Sequence, residues 1–103
     1  MNANLNYEGY ENYLLKRNCF NKYGYKKVQY IFKFDNLYGA SVTKCYGSYG
    51  YYDDLWELVV LNFGDGDNKV YIDYSTPITD DVKGYLTDKV VRHTLGEIKG
   101  LPR

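Results

Sequence analysis

The run from Lys27 to Phe34, Lys-Val-Gln-Tyr-Ile-Phe-Lys-Phe, constrains the fold more than any other part of the chain. Its side chains alternate, and an extended strand puts Val28, Tyr30, Phe32 and Phe34 on one face with Lys27, Gln29 and Lys33 on the other, whereas a helix would scatter both sets. Asp35 and Asn36 supply turn chemistry. Tyr38, Ala40 and Val42 then alternate with Gly39, Ser41 and Thr43, which predicts a second strand antiparallel to the first. Leu55 to Phe63 is almost continuously apolar and reads as a central third strand, with Trp56, Leu58 and Val60 on one face and Leu55, Val59, Leu61 and Phe63 on the other. Gly64-Asp65-Gly66-Asp67 is a hairpin connector, and Lys69 to Tyr74 returns as a fourth strand. The connector lacks the spacing and the terminal glutamate of a calcium loop.

The period changes at both ends. Tyr7, Tyr10, Tyr13 and Leu14 recur at three- and four-residue spacing, with acids early and bases late, and this predicts a short helix over Tyr7 to Arg17, although Gly9 weakens it. After Thr76-Pro77, Thr79 with Asp80 and Asp81 suits a helix start running to about Leu86, and Thr87 is a second candidate cap. From Asp88, Val91, Leu95 and Ile98 form one helical stripe that ends at Gly100 and Pro102. The expectation is an α+β domain: a four-stranded antiparallel β-meander, a short N-terminal helix, and one or two C-terminal helices packed on one face.

The 103 residues fit a single domain, 1–103. No apolar run is long enough to span a bilayer, and Met1 to Asn6 has neither the basic nor the apolar part of a secretory signal, so the expected location is the cytoplasm. Cys19 and Cys45 have no CxxC spacing and read as a reduced, buried or partly buried pair.

Net charge is zero but unevenly distributed. From Lys16 to Lys44, Lys16, Arg17, Lys22, Lys26, Lys27, Lys33 and Lys44 stand against Asp35 alone; from Asp53 to Asp81, Asp53, Asp54, Glu57, Asp65, Asp67, Asp73, Asp80 and Asp81 stand against Lys69 alone. Either the fold separates these into a basic and an acidic face, or adjacent strands interleave them as cross-strand pairs.

The chemistry implied is binding rather than catalysis. His93 is the sole histidine and reads as an exposed helical residue; the paired aspartates suit a solvated loop and a helix start; no glycine-rich phosphate loop occurs at a strand-to-helix turn. No catalytic residue, metal ligand or cofactor is assigned. The segment from Cys45 to Trp56 instead concentrates Tyr46, Tyr49, Tyr51 and Tyr52 with Gly47, Gly50, Asp53 and Asp54, and the chain has 14 tyrosines against one tryptophan. Tyrosine offers a large rigid ring with a polar tip, a composition suited to a contact surface. The candidate partner-binding residues are Tyr46, Tyr49, Tyr51, Tyr52, Asp53, Asp54, Asp65 and Asp67; the alternative is a loop folded back on its own sheet. A second reading is a single-stranded nucleic-acid site, since Lys26, Lys27, Lys33 and Lys44 interleave with Tyr23, Tyr25, Tyr30 and Tyr46.

The blocks Tyr38-Gly39-Ala40-Ser41-Val42, Ser48-Tyr49-Gly50, Leu55-Trp56-Glu57-Leu58-Val59-Val60-Leu61 and Tyr74 to Leu86, with its Thr76-Pro77-Ile78-Thr79-Asp80-Asp81-Val82 core, resemble a group of small phage and prophage proteins of low-GC Gram-positive bacteria. The similarity spans roughly residues 28 to 101; the chain differs in Asp35-Asn36-Leu37, where a proline-glycine type turn is expected, and in a more aromatic N-terminus. The resemblance implies a phage-encoded inhibitor that binds and blocks a host defence protein, an anti-CRISPR protein against a CRISPR effector nuclease being the most concrete case. Its contact surface would be the tyrosine-rich and acidic one. The alternatives are a sponge for a nucleotide signal and a small structural or regulatory phage protein, monomeric or homodimeric.

Overall fold

The computed structural model describes residues 2–22, 24–64, 69–79 and 81–102, and in it a six-stranded antiparallel sheet carries one helix on one face. The strands are β1 (Leu14–Lys22), β2 (Tyr25–Lys33), β3 (Tyr38–Cys45), β4 (Trp56–Asn62), β5 (Tyr71–Ile72) and β6 (Lys83–Leu86); the helix α1 is Asp88–Lys99. Strand order is β1-β2-β3-β4-β5, with β6 also on β4. Leu61 and Asn62 pair with β5 while Trp56 and Leu58 pair with β6, so the two short strands share the outer edge of β4 end to end. The α+β class holds, and the meander has six strands rather than four.

The β2–β3–β4 core follows the alternation. Val28, Tyr30, Phe32, Ala40, Val42, Trp56, Leu58 and Val60 all face one side and are buried there with Phe34. Helix α1 lays Val91, Thr94, Leu95 and Ile98 against them. Burial of each such apolar side chain contributes about 1.5–3 kcal/mol, enough to hold a twelve-residue helix that would be marginal alone.

Both terminal predictions need correction. The N-terminal helix over Tyr7 to Arg17 does not form: Gly9 sits at φ 94°, Glu11–Tyr13 makes a single 3-10 turn, and from Leu14 the chain is strand. The stripe Tyr7, Tyr10, Tyr13, Leu14 still packs on the core, Tyr7 against Tyr30 and Phe32, and Tyr10 and Tyr13 against Phe34, but along an irregular strap. Residues 83–86 likewise join β4 instead of forming a second C-terminal helix, and Tyr85 at φ 58° lies outside right-handed helical space. In both places an unpaired strand edge offers a ladder of hydrogen bonds that a short, weakly nucleated helix cannot match. The cap is Thr87, whose hydroxyl accepts from the Val90 amide at 3.2 Å; the Thr79 hydroxyl closes a local turn with Asp81.

Polar side chains pin the helix at both ends. Asp88, in its first turn, accepts from Trp56 Nε1 at 2.7 Å and from the Asn6 amide at 3.1 Å. At the other end the Asn36 amide donates to the carbonyls of Ile98, Lys99 and Leu101, while its oxygen accepts from the Tyr38 amide. The turn where a proline-glycine pair was expected is therefore also the C-terminal clasp of α1. Among the described residues no helix is long and apolar enough to cross a membrane.

Candidate functional site: a tyrosine cluster beside an open sheet face

The connection from β3 to β4 is a built loop. The Ser48 amide donates to the Cys45 carbonyl and the Ser48 hydroxyl accepts from the Cys45 amide; Gly47 and Gly50 take φ values of 92° and 97°, and Tyr51–Asp53 forms one 3-10 turn. These bends gather rings. Tyr46 meets Tyr51 at 6.0 Å and Tyr52 at 6.2 Å between centroids, and Tyr51 meets Tyr52 at 5.5 Å, all edge to face. Tyr25, at the start of β2, completes the group at 5.2 Å from Tyr46. The cluster is exposed, Tyr52 at 81 %, Tyr46 at 55 % and Tyr25 at 54 %. The Tyr46 hydroxyl, by hydrogen bonding and then by its charge, raises the Tyr52 phenol above its usual range.

Tyr49 stands apart from that group. Its amide donates to Glu57 at 2.7 Å and its carbonyl accepts from the Tyr85 amide at 3.4 Å. Gly84 makes this approach possible: a Cβ there would lie 2.4 Å from the Cβ of Tyr49. Tyr49, Tyr51, Tyr52, Asp53 and the exposed Tyr85 line a cleft of about 240 Å³.

The acidic half of the predicted surface divides. Asp53 is exposed at the rim of the cleft. Asp54 turns toward the protein, accepting from the Asn2 amide at 2.9 Å and from Lys44 Nζ at 3.1 Å. Lys44 is 2 % exposed, donates also to the Asn2 carbonyl at 3.1 Å, and holds its ammonium 4.3 Å from the Trp56 ring centre. The Asn2 hydrogen bond first, and then Lys44, keep the Asp54 carboxyl below the usual carboxylate range against the opposing cost of its partial burial. Asp65 and Asp67 lie outside the described residues, as does Tyr23.

The nucleic-acid set divides too. Tyr30 and Lys44 belong to the buried face, whereas Tyr25, Lys27, Lys33 and Tyr46 do not. Sequence reasoning passed over Tyr85 as a site residue and placed Tyr25 only in the nucleic-acid set, not with the docking tyrosines. Tyr25 shares the parity of Lys27, but the register that brings it beside Tyr46 is needed to see its relevance.

Strand β3 separates the charge halves. Lys16, Arg17, Lys26, Lys27 and Lys33 sit on β1 and β2, Asp53 and Glu57 on the β4 side, and the one charged residue of β3, Lys44, points into the core. Among the described residues, the lysines and arginine of β1 and β2 therefore lie on one side of β3, and Asp53 and Glu57 on the other. Cys19 lies opposite Val28 and Cys45 opposite Lys27, on non-adjacent strands and opposite faces, so the thiols do not meet; Cys19 is exposed rather than buried. His93 is exposed on α1, 3.8 Å from Glu97. Among the described residues no three histidine, cysteine or carboxylate side chains gather at metal-binding distance.

No protein-family model, curated protein or solved structure matches the chain. The site therefore has to be read from its own residues.

Proposed function

We propose that the protein acts by occupancy, docking its tyrosine cluster on another protein, and that the target is a host defence protein, with a CRISPR effector nuclease the most concrete case. The observation that carries the docking reading is the group of exposed Tyr25, Tyr46 and Tyr52 with the half-buried Tyr51, whose rings are fixed against one another before any partner arrives. Pre-ordered rings lose little entropy on binding, and tyrosine is among the residues that dominate interface energetics. Asp53 at the rim favours a basic partner surface; Asp54 serves the fold by holding Lys44. The class of target rests on the phage-protein resemblance.

The test is paired affinity capture from host cells with the wild-type chain and with a Tyr49→Ala, Tyr51→Ala, Tyr52→Ala variant. The expected result is a defence protein retained at stoichiometric yield by the wild type and lost by a variant of unchanged melting temperature. Equal retention by both rejects this contact surface, and the absence of any stoichiometric protein rejects docking.

A further inference from the structure

We propose that the sheet face opposite α1 is a binding track for single-stranded nucleic acid, running from Lys27 to Lys33. Register places on this face Phe20, Lys27 and Cys45 in one row, Asn18, Gln29, Thr43 and Glu57 in the next, and Lys16, Ile31, Ser41 and Val59 in a third. The strap and the helix both lie on the other side; on this one Ser41 is buried, and Phe63 packs over Gly39 at the Lys33 end with its ring centre 5.4 Å from the Lys33 ammonium.

Three properties of the face point to the same ligand. The first is charge. Lys16, Lys27 and Lys33 are exposed on it, and its carboxylate, Glu57, is engaged by the Tyr49 amide. Lys27 and Lys33 are roughly 20 Å apart along β2 at about 3.3 Å per residue, a span suited to several phosphates of an extended strand and too long for a mononucleotide. The second is aromatic surface at the Lys27 end, where Phe20 is 50 % exposed and Tyr25 and Tyr46 are in edge contact, so that flat bases can stack beside a cation. The third is a row of amides and hydroxyls between the lysines. Asn18 donates to Gln29 at 3.0 Å, Gln29 donates to Ser41 at 2.8 Å, and Ser41 lies 3.4 Å from Thr43. Ser41 is buried and anchors the row, while the half-exposed Asn18, Gln29 and Thr43 are held in place yet keep hydrogen-bonding capacity for base edges. A duplex presents paired bases and a rigid curved backbone, and would meet the lysines without reaching the rings.

The track shares Tyr25 and Tyr46 with the docking cluster, but its lysines, Phe20 and the amide row lie outside that cluster, so the two readings fail separately. The experiment is fluorescence anisotropy with labelled twelve-nucleotide oligo-dT and oligo-U strands and a duplex of equal length, over a salt series. Wild type should bind the single strands at least tenfold tighter than the duplex. Engaging Lys16, Lys27 and Lys33 should give log K against log salt a slope of about −2, which weakens binding roughly fifteen- to twentyfold between 50 and 200 mM. Lys27→Gln with Lys33→Gln should reduce the slope to about −0.7, and Phe20→Ala should weaken binding roughly five- to 150-fold. Lys89→Gln, on the exposed side of α1, should leave binding unchanged. Absence of strand binding, equal affinity for duplex, or indifference to Lys27→Gln with Lys33→Gln in a folded variant overturns the proposal.

Discussion

The two faces of the sheet are made from alternate residues of the same strands, yet they differ in kind. On the α1 side, Val28, Phe32, Val42, Trp56, Leu58 and Val60 are fully buried, and the polar groups admitted among them have fixed partners. The Tyr30 hydroxyl donates to the Ala3 carbonyl and accepts from Arg17 and the Leu5 amide; Lys44 meets Asp54 and Asn2. On the opposite side the hydrogen bonds run sideways from Asn18 and Gln29, which water still reaches, to the buried Ser41. A buried polar group must find its partner in the protein, whereas a half-exposed one can exchange it for a ligand. Both proposed contact surfaces therefore use the face the core does not, or the cluster at its end.

The largest expected effect breaks the dry face. Trp56→Ala or Phe32→Ala should cost about 3–5 kcal/mol in denaturant unfolding, while Ile31→Ala on the open face should cost about 1 kcal/mol or less. Equal losses would mean that the open face is also packed. Gly84→Ala comes next: it forces a methyl into Tyr49 and should destabilise by about 1–3 kcal/mol, with a change in tyrosine fluorescence that Tyr51→Ala does not reproduce.

The Lys44–Asp54 link sharpens the contrast in its electrostatics. Asp54→Asn should cost about 1–2 kcal/mol, below the range for a fully buried pair because Asp54 is itself 48 % exposed. Lys44→Met in the same chain should recover part of that loss, since no unpaired ammonium then remains buried. The folded-state pKa of Asp54 is depressed, so its contribution is complete above the unfolded carboxylate pKa and disappears as pH falls through the lower folded value. Wild type should accordingly lose stability in that acid window relative to Asp54→Asn, and parallel pH profiles would dismiss the link. The smallest effect is at Tyr85, where φ 58° favours glycine or asparagine; Tyr85→Gly should raise stability by up to about 1 kcal/mol in thermal unfolding, unless ring contacts in the cleft offset it.

Much of this was legible in the order of residues. The alternation in Lys27 to Phe34 and Tyr38 to Thr43 named the buried side of β2 and β3, and the stripe from Asp88 named the buried side of α1, because side-chain direction in a strand or helix follows from local backbone geometry. The tyrosine segment was identifiable as a unit for the same reason: its glycines fix where the chain bends. Less legible were segments whose local preference is weak. Tyr7 to Arg17 and Thr79 to Leu86 carry helical spacing over too few residues to nucleate, and their state depended on which strand edge lay within reach.

By itself, then, the sequence determined which side chains share a face, where α1 begins at Thr87, and that tyrosines would crowd the connection before Trp56. Only the tertiary structure decided that β1 and β6 are strands, that Lys44 and Asp54 face inward, that Tyr25 joins Tyr46, and that the bases of β1 and β2 are separated by β3 from Asp53 and Glu57. The division is physical. Periodicity acts over a few residues along one chain segment, but strand register, charge pairing and ring contacts join residues far apart in sequence, and their energies exist only once the sheet has assembled.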